Sequence, residues 1–143
     1  MNVTSNAYRE GGMIPSKYTC DGQNVNPPLM INNIPPGAKS LALVMEDPDA
    51  FSGSFIHWVM YDIPVAPEIK ENSAPGAQGK TSFGKLAYGG PCPPSGTHRY
   101  IFRVFALDTE LKAGEGLSKS ELQKAMENHV IDRAELMGRY SRS

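Results

Sequence analysis

Two histidines and one carboxylate stand where alternating apolar residues would be expected. Asp47 ends the run "SLALVMEDPD", His57 interrupts "SFIHWVMYDIP", and His98 opens "HRYIFRVFALD". Each lies on an apolar-periodic stripe: Asp47 with Leu41, Leu43 and Met45; His57 with Phe55, Val59, Tyr61 and Ile63; His98 with Tyr100, Phe102, Val104 and Ala106. A polar side chain on a core-facing stripe needs a partner, because burying it alone costs about 1–3 kcal/mol. Three such residues near strand ends meet that need by converging on one pocket. Nearby backbone groups could satisfy each one separately, and for a single histidine that is the commoner outcome. The set of three, flanked by stiff turns, favours a site.

Asp47-Pro48-Asp49 holds a second carboxylate close to the first. Such pairs serve as general acid and base, as metal ligands, or as caps on turn N–H groups, and capping is the commonest use. The stretch "GGPCPPSGTHRY", residues 89–100, crowds glycine and proline directly before His98. Its stiffness is expected to hold Gly89–Gly96 still while backbone N–H groups face a ligand and His98 sits at a pocket rim.

Positioning these groups falls to strands. Strands are predicted over 40–47, 54–63 and 98–108, with shorter ones at "LMINNI" and near "AELMGRY". Trp58 alternates away from His57, which points to a core or interface role. One helix is predicted: Ser118 and Glu121 form a capping box, with Leu122, Ala125, Met126 and His129 following at helical spacing. His129 is read as structural, near the helix C-terminus where the macrodipole favours a cation. High glycine and proline content, scattered along the chain, agrees with many short strands joined by fixed turns. The expected class is mostly β with few helices, in one domain over residues 1–143.

Composition removes several functions. A net charge of −1 without any Lys/Arg cluster gives no footprint for nucleic acid. The longest apolar run, "LALVM", is too short to span a bilayer, and "MNVTSNAYREGG" has no signal-peptide pattern. A cytoplasmic location and no stable membrane insertion are therefore expected. Cys20 and Cys92 show no metal-ligand spacing, so neither a metal nor a cofactor is expected. Sequence alone leaves a bridge between them open, although a reducing cytosol argues against it. "APGAQGKT" fails as a phosphate-binding loop because Ala74 stands at its required first glycine. No nucleophile motif accompanies the histidines, and no catalytic residue is assigned.

The segments "YTCDGQNVNPPL", "PPGAKSLALVMEDPD", "DPDAFSGSFIHWVMYDIP" and "YGGPCPPSGTHRYIFRVFALD" together resemble the phosphatidylethanolamine-binding protein family. The match is closest to its small prokaryotic, Raf-kinase-inhibitor-like members, and it runs from about residue 11 to "AELMGRY". The resemblance implies a large antiparallel sheet packed on a smaller one, a helix near the C-terminus, and a shallow pocket for phosphate-like anions and phosphorylated head groups. Mapped onto this chain, the pocket would use Asp47, Asp49, His57, His98 and Tyr100, with Gly90 and Pro91 in the wall that runs to Pro94. Cys20, Asp21 and Cys92 would lie close by, which keeps the Cys20–Cys92 bridge as a lesser option. Where the family usually has a second proline in "DPDAP", this chain has Phe51. That loosens the turn after Asp49 and brings an aromatic ring to the pocket mouth.

The leading expectation is a non-catalytic binding protein for a small phosphorylated ligand or anion. His57 and His98 would turn N–H donors to the anion, helped by the glycine-rich loop. An alternative is a protein-interaction inhibitor of a protease or kinase, acting through the polar loop "PEIKENSAPGAQGKTSFG". A metal-assisted hydrolase ranks third. A β-rich chain with Trp58 on a strand is also compatible with a two-fold homodimer.

Overall fold

Eight consecutive residues, Ser40–Asp47, are all buried, so the strand they form has to lie inside a sheet covered on both faces. A computed structural model, which describes residues 1–142, has that arrangement. The strands are β1 (Asn2–Thr4), β2 (Leu29–Asn32), β3 (Ser40–Asp47), β4 (Phe55–Ile63), β5 (Glu68–Ile69), β6 (Ala77–Gln78), β7 (Thr97–Leu107) and β8 (Val130–Ser141). One helix, α1 (Lys119–Met126), precedes β8. The large antiparallel sheet has the order β6-β4-β3-β7-β8, and the small one the order β1-β2-β5.

Two apolar layers sandwich the large sheet. On one face Leu41, Leu43, Met45, Phe102 and Val104 pack against Val3, Leu29, Ile31 and Ile69 of the small sheet. On the other, Ala42, Val44, Val59 and Tyr61 pack against Leu122 and Met126 of α1. Each fully buried Leu, Val or Met contributes about 1.5–3 kcal/mol. The mostly-β class, the two sheets and the late helix agree with the sequence reading.

The stripe predicted for β4 does not survive intact. Met45 pairs with Trp58 but Glu46 pairs with Ile56, so His57 is an extra residue, a bulge. It leaves His57 and Trp58 on the same side, where the Trp58 ring is core and its Nε1–H donates to Gln78 Oε1 at 2.8 Å. Val59 and Tyr61 consequently face α1. A second irregularity takes up another residue near Asp62, whose φ is 52°, and returns Ile63 to the inter-sheet core. Strict period-two alternation from Phe55 to Ile63 cannot anticipate either shift. The β3 and β7 stripes keep their parity.

Helix α1 begins as expected, with Ser118 Oγ accepting from Glu121 N and Glu121 accepting from Ser118 N. It is shorter than its periodicity implies. It ends at Met126, and Asn128 turns the chain with φ 67°. His129 therefore lies outside the helix, half-buried, with Nδ1 at 2.8 Å from Asp108 Oδ1.

Two features tie distant segments together. Glu46, 5% exposed on the α1 side, receives Lys119 Nζ at 3.1 Å, Arg103 Nη1 and Ser54 Oγ. The other is a staple near the chain start. Gly90 N–H donates to Asn24 Oδ1 at 2.8 Å, Cys20 N–H to the Pro91 carbonyl at 3.1 Å, and Tyr88 O–H to the Tyr18 carbonyl at 2.7 Å. Cys20 and Cys92 are joined by a disulfide, with Cα atoms 5.5 Å apart. The expectation against this bridge rested on compartment alone and had no access to this approach.

Burial raises the pKa of Glu46, but hydrogen bonds from Ser54 and Lys119 and the charges of Lys119 and Arg103 outweigh it, leaving the pKa below the ordinary 4.5. The stability this carboxylate contributes is complete above the unfolded value and disappears as pH falls through the folded one. Glu46→Ala, which leaves Lys119 and Arg103 without their shared anion, should cost on the order of 3 kcal/mol at neutral pH. Urea unfolding should find that loss shrinking below about pH 4; an equal loss at pH 7 and pH 3 would contradict the account. A Cβ on Gly90 would overlap the Tyr18 carbonyl oxygen and the Thr19 Cα, whereas one on Gly96, with φ 70°, would meet nothing within 4 Å. Gly90→Ala should therefore cost about 2–3 kcal/mol or more by overpacking, and Gly96→Ala about 1 kcal/mol by backbone strain alone. Calorimetric melting of the two variants checks the order.

Candidate functional site

Asp47 ends β3 with its carboxylate divided between two tasks. Oδ1 accepts the N–H of Asp49 at 2.8 Å, which closes the turn, and Oδ2 accepts from His98 Nδ1 at 2.6 Å. A carboxylate oxygen can only accept here, so His98 carries its proton on Nδ1 and turns Nε2 outward from this bond. His57 repeats the pattern from the neighbouring strand. Its Nδ1 lies 2.7 Å from the Gly89 carbonyl, again an acceptor, so Nε2 is the nitrogen left for a ligand. Burial lowers the His57 pKa below 6.5, against the opposing pull of the Gly89 carbonyl and Asp47, so the ring is neutral at pH 7. Neutral and bonded through Nδ1–H, it offers a lone pair rather than the N–H donor expected from the sequence.

The two rings flank Tyr100. His57 and Tyr100 meet edge to face at 5.3 Å between centroids, and His98 stacks on Tyr100 at 6.4 Å. Tyr100 is 1% exposed, and its hydroxyl is buried without a hydrogen-bond partner. Burial, reinforced by the nearby Asp47 carboxylate, holds its pKa far above the ordinary 10, so the hydroxyl keeps its proton. Together these groups line a cavity of about 210 Å³.

Around that polar base the walls are apolar and aromatic. Phe55 and Phe83 meet edge to face at 4.8 Å, and Phe83 also packs on His57 at 5.3 Å. Cys92, Pro93 and Pro94 form one side, and Ala50, Phe51 and Ser52 close the mouth, with Phe51 fully exposed. No lysine or arginine lines this cavity. Among the described residues no group of three or more His, Cys, Asp or Glu is placed to hold a metal ion.

Asp47, His57, His98, Tyr100, Phe51 and Cys92 are thus brought together. Asp49 is not. It lies outside the cavity lining, gripped by Arg99 Nε at 2.9 Å, Nη2 at 2.8 Å and the Arg99 backbone N–H at 3.0 Å. The Arg99 side chain brings its pKa down to about 2. Asp49 pins the turn to β7, the capping role that commonly explains such pairs. Gly90 and Pro91 stand behind the wall, which begins at Cys92. The loop N–H donors are used internally: Gly89 N–H goes to the His57 carbonyl at 3.1 Å and Gly90 N–H to Asn24. Cys20 is the outer half of the disulfide. Asp21 accepts from Tyr140 O–H at 2.6 Å and pairs with Arg142 at 3.1 Å, outside the cavity.

Ala50, Ser52, Phe55 and Phe83 escaped the sequence reading, whereas Pro93 and Pro94 form the wall it placed there. Phe55 shares parity with His57 and could have been added on that ground. Phe83 carries no such signal, because it reaches the site from the far end of a long connection.

Comparison with known proteins agrees with this architecture. The phosphatidylethanolamine-binding protein family model matches residues 4–141. A UPF0098 protein of Methanothermobacter thermautotrophicus is 47% identical over 99% of both chains. A phosphatidylethanolamine-binding protein homologue from Chlamydia trachomatis superposes with a TM-score of 0.96 at 40% identity, covering 99% of this chain and 97% of that one. YbcL of Escherichia coli gives 0.90 at 28% identity, covering 99% and 98%. The family match, the sequence identities and the superpositions agree, and the chain belongs to the phosphatidylethanolamine-binding protein family.

Proposed function

We propose that this chain acts as one non-catalytic binding module, cytoplasmic as its composition suggests, taking phosphate or a small phosphorylated group in the cavity between His57, His98 and Tyr100. The observation that carries the reading is the Tyr100 hydroxyl, a protonated donor buried at the cavity base that makes no hydrogen bond of good geometry, with the Asp47 carboxylate as its nearest acceptor. A buried unmade hydrogen bond costs about 1–3 kcal/mol, and an anion oxygen placed there recovers it. The size agrees: 210 Å³ lies below the roughly 300 Å³ at which drug-sized pockets begin. With no fixed cation in the lining, affinity belongs in the millimolar to micromolar range, about 4–8 kcal/mol.

The inhibitor reading has less support. Its loop, residues 67–84, is tied at several points: Glu68–Ile69 pairs with β2, Ala77–Gln78 pairs with β4, and Phe83 lines the cavity. A tethered connection of this kind serves the pocket better than it serves as a free inhibitory arm. Catalysis has no nucleophile to start from, since neither histidine Nε2 receives a serine or cysteine hydrogen bond among the described residues.

Tyr100→Phe separates function from stability. It removes a hydroxyl that makes no hydrogen bond of good geometry in the free protein, so the melting temperature should change little, while phosphate affinity should fall about tenfold. His57→Ala should abolish saturable shifts in an NMR phosphate titration. Unchanged binding in both variants would defeat the reading. Proton uptake gives an independent check. His57 enters as a neutral acceptor, so a phosphomonoester dianion such as methyl phosphate, which has no P–O–H to donate, needs one extra proton in the complex. Calorimetry in buffers of different ionisation enthalpy should register about one proton taken up per methyl phosphate at pH 8, with its affinity falling about tenfold per pH unit above that, whereas inorganic phosphate brings its own proton. Binding without proton uptake would mean that His57 does not touch the anion.

A further inference from the structure

The disulfide sits where it governs the cavity wall. Residues 88–91 are held by several hydrogen bonds, but among the described residues none ties Pro93–Gly96 to the rest of the molecule before β7 begins at Thr97. Cys92 is therefore the last covalent or hydrogen-bonded anchor ahead of the segment whose Pro93, held by packing alone, and Pro94 form the wall. Both cysteines are exposed, so the bond is open to an incoming thiolate. Its two ends differ: the Arg142 guanidinium lies 3.7 Å from Cys92 Sγ, and its other nitrogen pairs with Asp21 beside Cys20.

We infer that Cys20–Cys92 is a thiol-exchange site that sets the ligand cavity: oxidised, it fixes the wall, and a dithiol reductant releases it. The chemistry runs in one direction around the bond. A reductant thiolate attacks Cys20 Sγ and forms a new S–S bond to it. The Cys20–Cys92 bond breaks, and its electron pair leaves on Cys92 Sγ as a thiolate beside Arg142, since a nearby cation favours that sulfur as leaving group. The second reductant thiolate then displaces Cys20, so the reductant departs as a cyclic disulfide. Two electrons pass to the protein, and the two thiol protons end on Cys20 and Cys92. Freed from Cys20, Cys92–Gly96 samples positions that no longer shape the cavity, and apparent affinity falls with the fraction of molecules still competent. The cytosolic placement expected from the sequence gives this site its reductant.

The test uses the native, disulfide-bonded protein. Dithiothreitol is added without denaturant, samples are quenched with iodoacetamide, and alkylation is read by mass spectrometry. Both cysteines should label, a monothiol should be trapped on Cys20 in preference to Cys92, and Arg142→Gln should slow reduction about threefold or more. In the ligand-free protein, reduction should shift the NMR resonances of His98, Tyr100 and Phe83. Inorganic phosphate, the one readout that rests on the binding function proposed above, should then bind about tenfold more weakly. The Cys20→Ser, Cys92→Ser double variant should reproduce the reduced spectrum; if it does not fold, dithiothreitol titration of the wild type still decides. Cysteines that label only in denaturant, or a reduced protein whose cavity resonances stay fixed, would overturn the inference. Absence of phosphate binding in the oxidised protein, with cavity resonances still responding to reduction, would instead remove the binding reading and leave the exchange site standing.

Discussion

The candidate site depends on what the Asp47 carboxylate does with its two oxygens. One closes the turn onto Asp49 N–H and the other fixes the His98 ring, so backbone path and imidazole orientation are decided by a single buried group. A carboxylate 3% exposed carries a desolvation cost that only complete hydrogen bonding offsets. That constraint explains why the turn continues to Asp49 and why Asp49 is itself held on three sides by Arg99. The second carboxylate holds the first in place. Read this way, the Asp-Pro-Asp turn is scaffold for one histidine, and the ligand meets only its consequence.

The bulge at His57 does comparable work on the neighbouring strand. Regular pairing would send His57 toward α1 once Trp58 is placed in the inter-sheet core. One inserted residue lets both face the same side, with the ring in the cavity and the indole beneath it. Gly89 completes the arrangement by giving its carbonyl to His57 Nδ1 and its N–H to the His57 carbonyl. The stiffness of the loop is thus used to orient a side chain. Its own donors point inward, so the polar groups that face the cavity are side chains.

How far the sequence could be read follows from this division. The β3 and β7 stripes were legible because period two holds along them without interruption, and the capping box at Ser118 was legible because its two bonds join residues only three apart. The bulge was not, since an inserted residue looks like any other until the partner strand is known. Nor was the fate of Asp49, Gly90 and Pro91, because residues that build a site from behind have the same types and neighbours as those that line it. The disulfide shows the same limit: compartment argued against it, while a Cα approach across 72 residues of sequence argues for it and can be seen only in three dimensions. Family resemblance supplied the pocket's membership as a group but not the position of each member within it.

Charge distribution separates the candidate site from the larger groove on the opposite face. That groove, about 730 Å³ beside α1, contains Glu46, Arg103 and Lys119, and by volume it would be the first place to look for a ligand. Its central charges are already matched: Glu46 is shared by Lys119 and Arg103, and Arg103 also reaches Glu135 at 2.8 Å, while Glu127 and Arg133 in the lining make no ion pair among the described residues. A ligand using Glu46, Arg103 or Lys119 would have to break those pairs to make its own. The smaller cavity has the opposite character. Its cationic neighbours, Arg99 and Arg142, are engaged with Asp49 and Asp21 outside the lining, while among the described residues the Tyr100 hydroxyl makes no hydrogen bond of good geometry and the two imidazole Nε2 atoms make none. Unsatisfied polar chemistry locates a binding site better than empty space does, and here it selects the cavity that is roughly a third the size.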